Sequence, residues 1–258
     1  DYVNRRYRTG NLVVSVAGRV EHQQVLDSLE RYLQGLAEGQ CSFTPQPVQP
    51  RLNPLWRVKD IEQVHLCVGA LALPRNDERR FALLVLDTAL GGGMSSRLFQ
   101  ELREERALVY SVYTFQSAFQ DTGLFGIYAA TSPKQAREVV ACIVDEVERV
   151  RRYGLEPAEL ERAKEQMKGA LMLSLESTSA RMSRLAKAEL YQDRPLTPDE
   201  LMARVDAVSQ ADLAEVAELV LQPERFTCAG VGPAVEEVFS PLTRLPLRMV
   251  PAPVYQAG

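Results

Sequence analysis

The chain has 258 residues, 30 Lys+Arg against 34 Asp+Glu, a formal net charge of −4, and 46% hydrophobic, 25% charged and 7% aromatic residues. These proportions exclude collagen, a coiled coil and global disorder, and the mild acidity argues against nucleic acid or anionic lipid as the main partner. No apolar run approaches the roughly 18 residues that a membrane span needs.

The opening DYVNRRYRTG lacks an initiator Met and the charged-then-apolar order of a signal peptide. It reads as a processed end or a fragment, and a cytoplasmic location is expected. Cys41, Cys67, Cys142 and Cys228 lie far apart and form no C-x-x-C pair. They read as small hydrophobes in a reducing compartment rather than as a zinc or redox motif.

Residues 11–17 (NLVVSVA) predict a buried strand that stops at Gly18. Residues 21–38 place Leu26, Leu29, Leu33 and Leu36 on one helical stripe. Pro45, Pro47, Pro50 and Pro54 crowd the next stretch, which predicts a linker over 41–58. Residues 63–73 predict a long strand, and 78–90 a deeply buried helix broken by Gly91-Gly92-Gly93. Ser95 or Ser96 caps a helix expected to run to about Arg106. Residues 109–119 and 123–131 predict a hairpin turning near Asp121. Ser132-Pro133 opens a helix that ends at Gly154, another starts near Pro157, and a third covers 179–191. Capping boxes start at Thr197 and Ser209. Residues 225–232 predict a last strand, and the Pro-rich tail from Ser240 has no periodicity. Paired strands followed by long helical runs predict an α+β fold with an antiparallel sheet.

NLVVSVAG (11–18) echoes RFTCAGVG (225–232): each is an apolar strand, then Gly, then an amphipathic segment. Either strand-Gly-helix recurs by coincidence, or two copies of one unit end alike. In the second case roughly 150 residues of the first copy would precede Asp1.

His22 and His65 form no H-x-x-E-H or H-x-x-x-H pair, so no helix here presents two imidazoles to one metal. They read as a solvated first-turn residue and a satisfied strand residue, and no metal site is expected. Gly91 to Ser96 matches neither a Walker A loop nor G-x-G-x-x-G after a strand. It is either a tight helix-to-helix turn or a backbone surface for a closely approaching peptide. Ser95, Ser96, Ser111 and Ser117 have no G-x-S-x-G context. Arg103 and Tyr110 leave adjoining element ends, where a guanidinium and a phenol can both donate to one carbonyl or oxyanion. The alternative from spacing alone is a solvated helix end beside a half-buried Tyr.

The stretch Gln63-Val64-His65, Leu90 to Phe99 (LGGGMSSRLF) and Leu102 to Val112 (LREERALVYSV) resembles the zinc metallopeptidases that include pitrilysin, insulin-degrading enzyme and mitochondrial processing peptidase. The hairpin from Gly123 to Thr131 follows in the family's order, and Tyr7 to Gly18 resembles the end of that family's N-terminal half. The similarity is greatest to the bacterial processing-peptidase branch. The resemblance implies a clam of two similar halves, each an antiparallel sheet with helices packed on one face. It also implies zinc on an H-x-x-E-H helix plus a later Glu in the N-terminal half, and a C-terminal half that closes over a peptide. The family's Arg and Tyr, which reach the substrate backbone, map onto Arg103 and Tyr110. The Gly-rich turn maps onto Gly91, Gly92 and Gly93, with Ser95, beside the chamber as peptide-binding positions. One departure is Ala107, where the family usually has Gly.

The expected division is therefore 1–40 as a remnant of the catalytic half, 41–58 as linker, 59–240 as the substrate-clamping domain and 241–258 as tail. The expected function is the C-terminal, peptide-binding portion of a zinc metalloendopeptidase, inactive alone because the zinc lies outside the chain. A non-catalytic partner subunit that lends Arg103 and Tyr110 to a separate zinc-bearing chain is the alternative. A free-standing α+β binding module is a third reading. Peptide and the zinc-bearing half are the expected partners, with no nucleic acid and no membrane. An unpaired LVVSVA edge is an association hazard. Residues 11–17 are thus expected to pair with a second copy in a homodimer, to dock on the C-terminal sheet, or to be held by a partner.

Overall fold

The computed structural model describes residues 2–41, 50, 52–191, 196–235, 237–242 and 248–250. The chain forms two compact units, residues 48–168 with 202–258, and residues 1–47 with 169–201.

The larger unit is built on a six-stranded sheet. Its strands are β1 (Leu55–Val58), β2 (Val64–Ala72), β3 (Val109–Ala118), β4 (Gly123–Thr131), β5 (Thr227–Gly232) and β6 (Arg248–Val250), in the order β3-β4-β2-β5-β1-β6. The four strands from β3 to β5 pair antiparallel, whereas β1 runs parallel to both β5 and β6. The α+β class is as expected, with a parallel margin added to the antiparallel sheet.

Alternation along the strands buries one face. Val64, Leu66, Val68, Phe125, Ile127 and Ala129 are at most 1% exposed. On this side α9 (Gln210–Val220) packs on β2, α5 (Ala136–Tyr153) on β4 and α3 (Arg80–Gly91) on β3, and their Phe81, Val85, Leu86, Ile143, Val147, Leu213 and Val216 are buried. Glycines let this layer close tightly: a Cβ on Gly69 would lie 2.3 Å from the Phe125 carbonyl oxygen of β4. Gly154 (φ 72) ends α5 where expected, its N–H donating to the Val150 carbonyl at 2.8 Å. Both capping boxes form, at Thr197/Glu200 and Ser209/Asp212.

β1 corrects the expected linker. Trp56 is 0% exposed, its ring lies against Gly230, and its Nε1 donates to the Pro233 carbonyl at 3.1 Å. A single large aromatic ring, placed where Gly230 makes room, holds a Pro-flanked segment in the sheet. The rest of the expected linker, residues 42–49 and 51, lies outside the described residues. The expected tail contributes β6, and 243–247 and 251–258 lie outside the described residues.

The smaller unit holds α1 (Tyr2–Arg6), α2 (His22–Tyr32) and α7 (Thr178–Tyr191). Residues 169–201, expected within the 59–240 domain, cluster here. The strand expected at 11–17 does not form. Leu12, Val13, Val14 and Val16 are 37%, 38%, 50% and 44% exposed. Residues 12–17 join no ladder among the described residues. Ser15 Oγ donates to the Met182 carbonyl at 2.9 Å. Apolar, β-branched composition favours an extended backbone, but a strand needs a neighbour to bond.

Candidate functional site at the start of β3

The helix expected to run from Ser96 to Arg106 is one turn, α4 (Arg97–Phe99), continued by a π-helical turn over Gln100–Glu105. Leu98 and Leu102, both 0% exposed, anchor it to the core. The Arg106 N–H reaches back to the Glu101 carbonyl at 3.2 Å, and the Arg106 and Glu101 side chains pair at 2.6 Å. A single π turn inside a helix is a frequent feature of functional sites. Here it carries Arg103, which is exposed, with its guanidinium carbon 5.0 Å from the centroid of the Phe99 ring.

Ala107 joins the π turn to β3 at φ 50. That left-handed conformation costs a residue with a Cβ about 1–2 kcal/mol, which gives a physical reason for Gly in the resembled family. The turn is held on both sides. The Leu108 N–H donates to the Leu102 carbonyl at 2.8 Å, and the hydroxyl of fully buried Thr131 donates to the Leu108 carbonyl at 2.5 Å.

Tyr110 is the extra residue of a β-bulge. Val109 pairs with Thr131 and Ser111 with Ala130, so Tyr110 has no partner of its own. Val109, Val112 and Thr114 point into the core, so Tyr110 and Ser111 both fall on the face away from the helices, and the Tyr110 side chain is 61% exposed. Bulges re-aim side chains in this way. The sequence carried a signal for it: in Val109-Tyr110-Ser111-Val112 two residues separate the valines where strict alternation allows one.

The same face carries a polar and aromatic row. His65 Nδ1 lies 2.7 Å from the Tyr128 hydroxyl, and the Tyr113 and Tyr128 rings stack at 4.8 Å. Burial pushes the Tyr128 phenol above its ordinary pKa, Tyr113 and Cys67 add to the shift, and a Ser111 hydrogen bond opposes it. Burial likewise raises the Cys67 thiol and takes that of Cys228 up to about 12. His65 is thus a satisfied strand histidine, while His22 is exposed at the start of α2.

Gly91 lies on the other side of β3. A Cβ on Gly91 would come within 2.5 Å of the Thr114 backbone nitrogen, and one on Gly93 within 2.7 Å of Gln166 Nε2. Gln166 donates to the Gly92 carbonyl at 2.8 Å. Gly91 is buried, and Ser95 is exposed beside Thr88, Glu159 and Gln166. The predicted residues therefore separate into two groups. Arg103 and Tyr110 flank the Ala107 turn, and Gly91 packs under the strand that carries Tyr110, with Gly92 and Gly93 beside Thr88 and Gln166.

Among the described residues, no three His, Cys, Asp or Glu side chains converge as a metal-binding group.

This fold belongs to a peptidase family. The chain is a member of the family whose model is described as Peptidase M16 inactive domain, which matches residues 1–167. It is 39% identical over 252 residues to an uncharacterized zinc protease of Streptomyces coelicolor, covering 93% of this chain and 54% of that protein. It is 39% identical over 208 residues to one of Bacillus subtilis, covering 81% and 51%. The chain spans about half the length of these relatives. A Pseudomonas fluorescens structure described as a peptidase M16 inactive domain superposes with a TM-score of 0.72 at 22% identity, over 84% of this chain and 53% of that one. A Helicobacter pylori protease superposes with a TM-score of 0.67 at 21% identity, over 84% and 54%. These two likenesses are of fold.

Proposed function

We propose that this chain is the peptide-clamping half of a zinc metalloendopeptidase, working with a zinc-bearing half supplied by the same protein or by a partner subunit. The observation that supports the reading is the bulge at Tyr110. It turns a phenol out of the sheet at the end of the turn that carries an exposed Arg103. The Arg103 guanidinium and the Tyr110 hydroxyl then donate to the scissile carbonyl oxygen, and more strongly as it gains charge in the transition state. Gly91 supports β3 from below, against Thr114, on the side of the sheet opposite Tyr110. The chain alone hydrolyses nothing, because activation of the attacking water belongs to the other half. Four cysteines without a disulfide suit a reducing bacterial cytoplasm. Among the described residues no helix is long and apolar enough to cross a membrane.

The test is turnover of a quenched fluorogenic peptide by the whole protein, zinc-bearing half included. Arg103→Ala lowers kcat/KM about 10- to 1000-fold, the range of one lost oxyanion donor. Unchanged turnover, or turnover by the 258-residue chain alone that a chelator abolishes, would overturn the reading.

A further inference from the structure

Arg103 has a long, flexible side chain on an exposed turn, and such a side chain has no fixed direction of its own. Two features of α4 supply one. At its start, Arg97 is only 17% exposed and is held by two carboxylates from two other helices. Its Nε and Nη2 donate to Glu159 of α6 (Pro157–Ser174) at 2.8 and 2.6 Å, and its Nη1 donates to Glu146 of α5 at 3.1 Å. Glu146 is itself 4% exposed and also pairs with Arg149 at 3.0 Å. Glu159 also accepts the Glu156 backbone N–H at 2.7 Å. A planar guanidinium gripped by a bidentate carboxylate and a second acid sets both the position and the rotation of the element it starts. At the other end of α4, two residues on, the Phe99 ring lies under the Arg103 guanidinium. A cation over an aromatic face is attracted to it and so held over it.

We infer that α4 positions Arg103 for the peptide carbonyl, with Arg97 anchoring the turn to α5 and α6 and Phe99 serving as the platform that aims the guanidinium. Neither touches the substrate; both act through Arg103. The inference rests on the peptide-clamping reading of Arg103. It makes Arg97 more than a stabilising ion pair, because an error of about 1 Å in a catalytic group can cost about 100-fold in rate.

The experiment is a set of double-mutant cycles on the whole protein, with its zinc-bearing half, read as kcat/KM on a quenched peptide. Phe99→Leu and Arg97→Gln are each made with Arg103 intact and with Arg103→Ala. Where Arg103 is present, each is expected to lower kcat/KM about 10-fold, and Phe99→Tyr, which keeps a ring under the guanidinium, to restore it. Where Arg103 is Ala, each changes kcat/KM by less than about twofold, the scatter of uncoupled sites. Equal losses in both backgrounds would show a merely structural role and overturn the inference while leaving the clamp reading intact. An Arg103→Ala variant with full activity would sink the clamp reading first, and the inference with it. Should Arg97→Gln fail to fold, the Phe99 cycle decides the matter alone.

Discussion

β4 bonds a long strand on each side, and the two ladders differ at one residue. Against β2 it makes nine successive pairs, Val64↔Thr131 to Ala72↔Gly123, without a break. Against β3 the same residues of β4 are matched with one residue left over, Tyr110. The first ladder keeps strict alternation and buries Val64, Leu66 and Val68 completely or nearly so. The second gives up one pair at its end and turns a phenol outward. The uninterrupted ladder serves the core, and the interrupted one departs from regularity where it turns a side chain out of the sheet.

The sharpest test of that division is on the regular side. Leu66→Ala removes a fully buried side chain from the centre of the sheet and should cost about 2–5 kcal/mol of unfolding free energy, read by urea denaturation. A loss below about 0.5 kcal/mol, the range of an exposed site, would break the comparison. On the interrupted side, Tyr110→Phe keeps the ring and loses the donor. It should lower kcat/KM of the whole protein about 10- to 1000-fold with no shift of the unfolding midpoint. A variant that melts early instead would place Tyr110 with the core.

The turn that feeds the bulge gives a smaller effect of opposite sign. Ala107→Gly relieves a left-handed residue and should raise stability by about 0.5–1 kcal/mol, the strain removed minus the extra freedom of glycine in the unfolded chain. A melting point that falls would show that the turn is not strained. A fourth variant, expected to have the smallest effect, probes the polar support of β3 from below. Asp87 accepts from Gln116 at 3.2 Å, and its Oδ1 is buried without a partner. Burial raises its carboxyl pKa, while contacts with Thr114 and Gln116 oppose the shift. The folded state therefore holds this proton more tightly than the unfolded one. Its contribution to stability is fully favourable below the ordinary Asp range and declines as pH rises through the raised folded value. Asp87→Asn should stabilise the protein at neutral pH and lose that advantage toward acid, as melting curves across pH would show. A constant difference would argue against a desolvated carboxylate.

Two apolar runs show where reading the sequence succeeds and where it stops. Residues 63–73 and 11–17 both have the β-branched, apolar composition of buried strands. The first is β2, bonded on both sides by β4 and β5. The second joins no ladder among the described residues, with Val14 50% exposed. Nothing inside a strand states whether a neighbour will be there to bond. β1 failed in the opposite sense, because proline-rich surroundings concealed the fact that Trp56 fits over Gly230 far along the chain. Helix ends were more legible. The Thr197 and Ser209 caps and the Gly154 stop are local rules, closed by residues within four positions of one another. At the site, Arg103 and Tyr110 were visible as chemistry. Their geometry was not: the π turn, the bulge, the Phe99 platform and the Arg97 grip depend on partners as distant as Glu159.

The sequence by itself determined the α+β class, the hairpin, most helix termini and the residue types able to serve a peptide carbonyl, because periodicity and capping act over a few residues. Only the tertiary structure decided which apolar runs became strands, that Gly91 lies beneath β3 while Tyr110 lies above it, and what holds Arg103. Those outcomes depend on ladders, packing and ion pairs between segments far apart in the chain, and such pairings are settled only when the whole sheet and its helices assemble.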